Sequence, residues 1–407
     1  MVVAGAAVAY VLLNAPGNVS NPDVSFTAPK RKTPQPAHVS NFQWPWYGYN
    51  AVRTRYFANP KVRPPFRTGW HYEDYALLEF PPVLYRSRLY LVDNDGSAKA
   101  INAATGHLIW QHKVGTLAAA SPALDVGHGL LYVPLLAVRG RNPGDGALKA
   151  LSMRTGRVVW SRPIPAGTES SPIVWQDKVF FGDQSGHVYA LGAQGGRLRW
   201  TYHATGAVKG GPSISSGALY FGDYAGRAYA LNARNGHQIW AANTSGTEFG
   251  FGSGNFYSTA AVAFGRVYMG NTDGRVYSFS ARTGRLAWAT ATGAYVYSSP
   301  AVANTPGLGP TVYVGSYDGH LYAFDARSGA IRWSHDARGK ISGSPQIIGN
   351  VVYYDNLAAK TTAGLNARTG RQVFWFHDGA FNPAISDGHV LYLVGVSRLY
   401  QLKPRQR

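Results

Sequence analysis

Tryptophan returns at near-constant intervals along this chain: Trp70, Trp110, Trp160, Trp200, Trp240, Trp288, Trp333 and Trp375 stand 40 to 50 residues apart. Most of them close a stretch of the form Gly-x-x-Tyr-Ala-Leu-x-Ala-x-Thr-Gly-x-x-x-Trp. Self-similarity at that period belongs to solenoids, propellers and arrays, because one such unit cannot bury its apolar face alone and must stack on a neighbour. A length of 407 residues would otherwise suggest two or three domains, yet the repeat fills nearly all of it and favours one large domain.

One repeat shows how the unit is built. From Ser299 to Trp333 the chain reads Ser-Pro-Ala-Val, a linker, Thr-Val-Tyr-Val-Gly-Ser, Tyr-Asp-Gly, His-Leu-Tyr-Ala-Phe-Asp-Ala, Arg-Ser-Gly and Ala-Ile-Arg-Trp. Three turn signals separate four short strands. Asp318-Gly319 and Ser328-Gly329 supply the positive φ of tight hairpins, which Gly adopts because it has no Cβ to clash. The second turn recurs as Asp95-Gly96, Ser185-Gly186, Ala225-Gly226 and Asp273-Gly274, and the third as Thr105-Gly106, Thr155-Gly156, Asn235-Gly236, Thr283-Gly284 and Thr369-Gly370. Alternation such as Val276-Tyr277-Ser278-Phe279-Ser280 buries one face of each sheet and packs the other on the next. Each Trp is expected to wedge between adjacent sheets.

The ends of the repeat array predict how it closes. Only 32 residues follow Trp375, enough for three strands (Pro383-Ala384-Ile385, Val390 to Val394 and Leu399 to Leu402) but not a fourth. Arg67 to Tyr72 carries a fourth-strand Trp, Trp70, with no first three strands before it. Joined, the two fragments make an eighth sheet. The expectation is an all-β, eight-bladed propeller of four-stranded antiparallel blades, closed by an N-terminal strand that completes the last blade. An open solenoid would keep exposed terminal edges and would not need the complementary fragment.

Residues 67–407 are read as this propeller and 14–66, rich in Pro and polar residues, as an extended arm. Residues 1–13 form an apolar run, shorter than the span of about 20 residues that crosses a bilayer, and read as the remnant of a membrane anchor or signal. Lys30-Arg31-Lys32 close behind it argues, by the positive-inside tendency, for a cytoplasmic following domain, in conflict with an exported one. A formal charge of +19 implies a surface field that attracts polyanions, such as nucleic acid, acidic headgroups or wall polymers. Many of the cations sit in hairpins, as do Arg154 and Arg157 or Arg282 and Arg285, where solvated turns account for them. The absence of Cys removes disulfides, thiolate metal sites and Cys nucleophiles together.

The repeat resembles the pyrroloquinoline-quinone (PQQ) repeat β-propellers, quinoprotein dehydrogenase-like and BamB-like, with their tryptophan-docking motif. The motif is Ala-x-x-Ala-x-Thr-Gly-x-x-x-Trp in Ala100 to Trp110, with variants ending at Trp160, Trp240, Trp288 and Trp333. Trp44 to Thr54 also looks like the Trp-Pro-x-x-Gly-x-x-x-x-Arg-Thr opening of exported or anchored members. The resemblance implies the fold but leaves several activities open: quinoprotein dehydrogenases, outer-membrane assembly scaffolds and sensor domains of membrane kinases. For the dehydrogenases it implies a vicinal Cys pair over the quinone, an Asp base and a Glu/Asn/Asp calcium site. The Cys pair is absent, and no Asp lies in an identifiable matching motif.

In a propeller, ligands gather at the axial mouth where the innermost strands begin. The residues three places before the Ser-Pro proline, or before its Ala in one repeat, are Glu79, Ala119, Glu169, Lys209, Tyr257, Tyr297, Ser342 and Ala380. Glu79, Glu169, Lys209, Tyr257 and Tyr297 are the candidate ligand-binding residues: two carboxylates, an ammonium and two phenols could hold a small polar ligand or peptide. The alternatives are that they bond to channel water and to one another, or that Phe80 and Phe381, one place further on, plug the channel.

Other motifs carry less. Gly250 to Gly254 mimics a phosphate loop without the flanking strand and helix. Asp93-Asn94-Asp95-Gly96 starts like a calcium loop but lacks the distant Glu. The insertion from Ala137 to Gly144 is basic and turn-rich and reads as a variable or partner loop. No spacing supports a catalytic metal or serine site, so no catalytic or metal residue is assigned. The sequence therefore points to a non-enzymatic, membrane-anchored or exported propeller, extracytoplasmic and monomeric, serving as an interaction scaffold or ligand-binding module. Its partner would be a protein or an envelope polymer. A PQQ-dependent dehydrogenase or PQQ-binding protein is the alternative, although no specific residue supports the cofactor, and a binder of anionic polymer is a third.

Overall fold

The computed structural model describes residues 17–29, 43–58, 61–140, 142, 144–244 and 254–405. The apolar run, Lys30-Arg31-Lys32, most of the glycine loop before Asn255, and Arg141 and Pro143 of the insertion lie outside them. Every regular element among the described residues is a β-strand. None of these residues forms a helix long and apolar enough to cross a membrane.

Eight antiparallel sheets succeed one another along the chain. Blade I comprises Val83–Tyr85, Arg88–Val92, Ser97–Asn102 and Leu108–Lys113, from the inside outward. The innermost strands of blades II to VIII are Ala123–Asp125, Ile173–Trp175, Ser213–Ser215, Ala261–Ala263, Ala301–Thr305, Gln346–Ile348 and Ala384–Ser386. Blade VIII takes its outer strand, Phe66–Glu73, from the start of the chain, where it pairs antiparallel with Arg398–Pro404 at the end. Tyr400 faces His71 and Gln401 faces Trp70, so the ring is closed by the joint the two chain ends predicted.

The outer two strands of every blade share one irregularity. A one-residue register shift follows Ala100, Ala150, Ala190, Ala230, Ser278, Ala323, Gly364 and Gln401 in turn. A bulge of this kind sharpens the twist and re-aims the next side chain. In seven blades that side chain is a Trp, whose indole N–H reaches a backbone carbonyl of the following blade. The partners are Ala103, Met153, Ala193, Ala233, Ala281, Ala326 and Ala367. The rings lie over the third-turn glycines: a Cβ on Gly284, at φ +72°, would come within 2.8 Å of the Trp240 ring. Between blades IV and V the interior is packed by Tyr220, Trp240, Phe256, Met269, Tyr277 and Phe279.

Trp375, read above with the other seven, does not dock: it is 57 % exposed. In blade VII the residue before the shift is Gly364, and it faces Phe374, while Trp375 faces Ala363. Phe374 stands four places after Gly370, the interval from glycine to Trp in the other repeats. It packs edge-on against Phe66 of blade VIII at 5.4 Å. Because successive side chains of a strand point to opposite faces, a slip of one residue turns Trp375 outward.

Ring closure leaves another set of edges, since every innermost strand turns an unpaired side toward the axis, and buried N–H groups need acceptors. The arm supplies them. Trp44 pairs with Leu84 of blade I. The carbonyls of Pro45, Ala51, Val52, Thr54 and Arg55 then accept from Leu124, Ile214, Val262, Val302 and Ile347, on blades II, IV, V, VI and VII. Arg53 completes the circuit: its guanidinium donates to the carbonyls of Ser171 and Pro172 of blade III and of Pro212 of blade IV. Further upstream, Val19–Ser20 adds a strand outside blade V and covers Trp288.

Candidate functional site

The arm blocks the channel and thereby makes its open end a basin. Tyr47 stands on the floor, its hydroxyl donating to Asn382 Oδ1 at 2.8 Å and lying 3.0 Å from the Ser344 hydroxyl, with the Arg55 guanidinium 3.8 Å from its ring. Arg53 and Arg55 are both fully buried. Burial first, then the neighbouring Arg55, pushes the Arg53 guanidinium down to about 9, so it stays charged at neutral pH. Its charge spreads over carbonyl oxygens, which is how a planar fork of five donors can be buried without a carboxylate.

Around the floor runs a tier that sews the blades together. The backbone N–H groups of Ser121, Gly211, Thr259 and Ser299 each donate to a hydroxyl of the next blade, on Ser171, Thr259, Ser299 and Ser344 respectively. Blade VIII crowds this tier from the side: a Cβ on Gly343 would lie 1.0 Å from the Phe381 carbonyl oxygen, so no larger residue fits there.

Above it, six of the eight aligned positions line one pocket of about 280 Å³: Glu79, Glu169, Lys209, Tyr257, Tyr297 and Ser342. Ala119 and Ala380 are buried outside that lining. Phe80 and Phe381 are part of the wall, with Phe80 5.4 Å from Tyr47, and the stopper is the arm instead. Lys209 Nζ lies 2.8 Å from Glu169 Oε1, and the Tyr257 hydroxyl donates to Glu169 Oε2 at 3.1 Å. Tyr257 and Tyr297 meet edge to face at 5.6 Å, and Tyr297 and Tyr317 lie 4.9 Å apart.

Glu79 differs from Glu169. Its neighbour is the Asn94 amide at 3.5 Å, and among the described residues no Lys or Arg pairs with it. Burial, followed by repulsion from Glu169, pushes its carboxyl up to about 7. Burial also raises the Tyr257 phenol, followed by the charges of Glu169 and Glu79.

A second tier escaped the sequence reading. Asn94, Gln184 and Tyr224 stand 15 residues after Glu79, Glu169 and Lys209, in the second turn of their blades. The amide of Gln184 donates to Glu169 at 2.8 Å, and Lys209 sits 5.0 Å from the Tyr224 ring. Tyr317 plays the same part above Tyr297 and Ser342, after a longer hairpin. That constant interval was the available signal. Tyr47 gave none, since it belongs to a segment without repeats. The Asp93-Asn94-Asp95-Gly96 motif is a structural turn: Asp93 accepts from the Ser97 N–H at 2.8 Å and pairs with the buried Lys99 at 2.5 Å, which also meets Asp74.

The family model described as outer membrane protein assembly factor BamB matches residues 67–181, 144–300 and 297–394. The chain belongs to this family. Among solved structures it resembles BamB from Moraxella catarrhalis at 18 % identity and a TM-score of 0.67, over 84 % of this chain and 99 % of that one. A europium-containing methanol dehydrogenase aligns at 14 % identity and a TM-score of 0.73, over 89 % of this member of the family and 98 % of the enzyme. The quinohemoprotein alcohol dehydrogenase ADHIIG from Pseudomonas putida HK5 aligns at 14 % and 0.73, over 90 % and 82 %. At such identities the likeness is one of fold. No curated protein matches in sequence.

Proposed function

We propose that the chain is a non-enzymatic, extracytoplasmic propeller that acts as an interaction scaffold or ligand-binding module, with the axial basin as its accepting surface. The observation that carries this reading is the stoppered channel. Bonds from the arm to all eight blades leave a one-sided pocket of fixed shape, rimmed by Tyr297, Tyr317 and Lys209. Preformed concave sites with a few convergent polar groups are where proteins accept ligands. The description of the family model, an assembly factor of the outer membrane, fits a scaffold outside the cytoplasm.

The enzymes that share the fold act with a quinone and a metal, and the basin does not fit that pair. The chain has no Cys, and among the described residues no three His, Cys, Asp or Glu side chains converge on a metal-sized site. The two acids of the basin are Glu79 and Glu169, and Lys209 already occupies the second. The purified chain, supplied with PQQ and calcium or a lanthanide, should not reduce an electron-accepting dye with any alcohol, and alcohol-dependent reduction would defeat the reading. A photo-crosslinking residue in place of the exposed Tyr295, 6.1 Å from Tyr297 at the rim, should capture an envelope component in whole cells.

A further inference from the structure

We propose that the axial basin recognises an alkylammonium group, held by the Glu79 carboxylate against the rings of Tyr257 and Tyr297. This rests on the reading of the basin as a ligand-binding surface and adds the chemical class of the ligand.

Three observations converge on it. First, the pocket lining holds two carboxylates and one ammonium, and Lys209 is engaged by Glu169 at 2.8 Å, while Arg53 and Arg55 lie buried beneath the floor, the one on carbonyl oxygens and the other on the Tyr47 ring. Glu79 is left with an amide neighbour at 3.5 Å. A carboxylate shielded from water gains most from a cation brought to it, because attraction grows as the dielectric falls. Second, the wall is aromatic. Tyr257, Tyr297 and Tyr317 form a run of tilted and edge-to-face rings, and Phe80 and Phe381 also line the pocket. Ring faces attract ammonium groups through their quadrupole, and such walls suit an alkyl chain ending in a cation. Third, the shape is set beforehand, since the arm fixes the floor at Tyr47 and the second tier fixes the acids, so little ordering is needed on binding.

The surface as a whole is strongly cationic, at +19, so a lining with two carboxylates to one ammonium is a local exception that charge steering alone would not produce. The groups facing Glu79 are Asn94 of its own blade, Glu169 of blade III with its partner Lys209 of blade IV, and Tyr257 of blade V. Among the described residues no His lines the pocket. Binding should therefore strengthen as pH rises through about 7, the range in which Glu79 becomes charged.

The test is calorimetric titration of the full chain with cadaverine, as a free amine, and with a terminally blocked Gly-Lys-Gly peptide, as a lysine side chain. Glutarate and 1-pentanol serve as anionic and neutral controls. Saturable binding of either amine is expected, stronger at pH 8 than at pH 6. It should weaken at least about tenfold in Glu79→Gln, with the pH dependence gone. Tyr297→Leu, which keeps bulk without the phenol ring, should weaken it several-fold. The thermal midpoint of each variant shows whether it folds. A preference for cadaverine over the peptide identifies a free amine as the natural source, and the reverse order identifies a partner's lysine.

Failure of both amines to bind, binding unchanged by Glu79→Gln in folded protein, or tighter binding of glutarate each overturns the proposal. If these failures occur while crosslinking from position 295 still captures a partner, the ligand class is wrong and the binding-module reading stands. Dye-linked alcohol oxidation would sink that reading itself.

Discussion

The register at the end of blade VII can be tested by three alanine substitutions that remove rings of similar size from different surroundings. Trp240 is 7 % exposed, packs between blades IV and V, and donates its N–H to Ala281 at 3.0 Å. Removing such a side chain costs about 3 to 5 kcal/mol, from lost burial and the cavity left behind. Phe374 is half-buried against Tyr353 and Phe66, so Phe374→Ala should cost about 2 kcal/mol. Trp375, at 57 % exposure, has little burial to lose, and Trp375→Ala should stay within about 0.5 kcal/mol of the parent. At roughly 2.1 cal/mol/K of unfolding entropy per residue, 1 kcal/mol moves the midpoint of a unit this size by about 1.5 °C. Thermal melts followed by circular dichroism should thus fall by about 5 °C for Trp240→Ala, by about 3 °C for Phe374→Ala and hardly at all for Trp375→Ala. If Trp375→Ala matched Trp240→Ala while Phe374→Ala was silent, the strand register and the argument from the Gly370 interval would both be wrong.

Two further outcomes follow from the arm and the core. Arg53→Lys keeps the charge but loses the fork that ties Tyr47 and blades III and IV together; it should cost about 3 kcal/mol by chemical denaturation, and a change under 1 kcal/mol would show that the arm is not held there. Burial pushes the Asp355 carboxyl, bonded to Thr362 and to the Ala380 N–H, up to about 8. Its folded-state value lies above the unfolded one of about 3.9, so its contribution to stability is complete below that value and is lost as pH rises toward 8. Denaturation midpoints at pH 5, 6.5 and 8 should decline in the parent and decline less in Asp355→Asn, with Glu79 and the other shifted groups, Asp273 and His335, setting the remaining slope; equal slopes would refute the assignment.

Much of this protein was legible in its residues, for a reason that lies in the repeat. A period that places Gly at the third turn and Trp four residues later sets the radius of every residue in a blade. Counting from Pro82, Pro172 or Pro212 therefore located Glu79, Glu169 and Lys209 on the axis without coordinates. The orphan strand around Trp70 and the three strands after Trp375 determined closure in the same way, as two incomplete units that complete each other. Phe374 follows from the same counting, four places after Gly370, whereas the adjacent Trp375 has the docking residue type one place too late.

What the tertiary structure alone decided is the fate of the non-repeating arm. Residues 43–58 carry no periodic signal and form only two-residue strands, so the Trp-Pro-x-x-Gly opening marks the segment without saying where it runs. Their acceptors find donors only because eight inner edges meet around one axis, an arrangement that exists once the ring has closed. The same holds for the basin: the identity of its acids is written in the chain, but that Lys209 engages Glu169 while Glu79 meets the Asn94 amide arises from which neighbours the closed ring brings together.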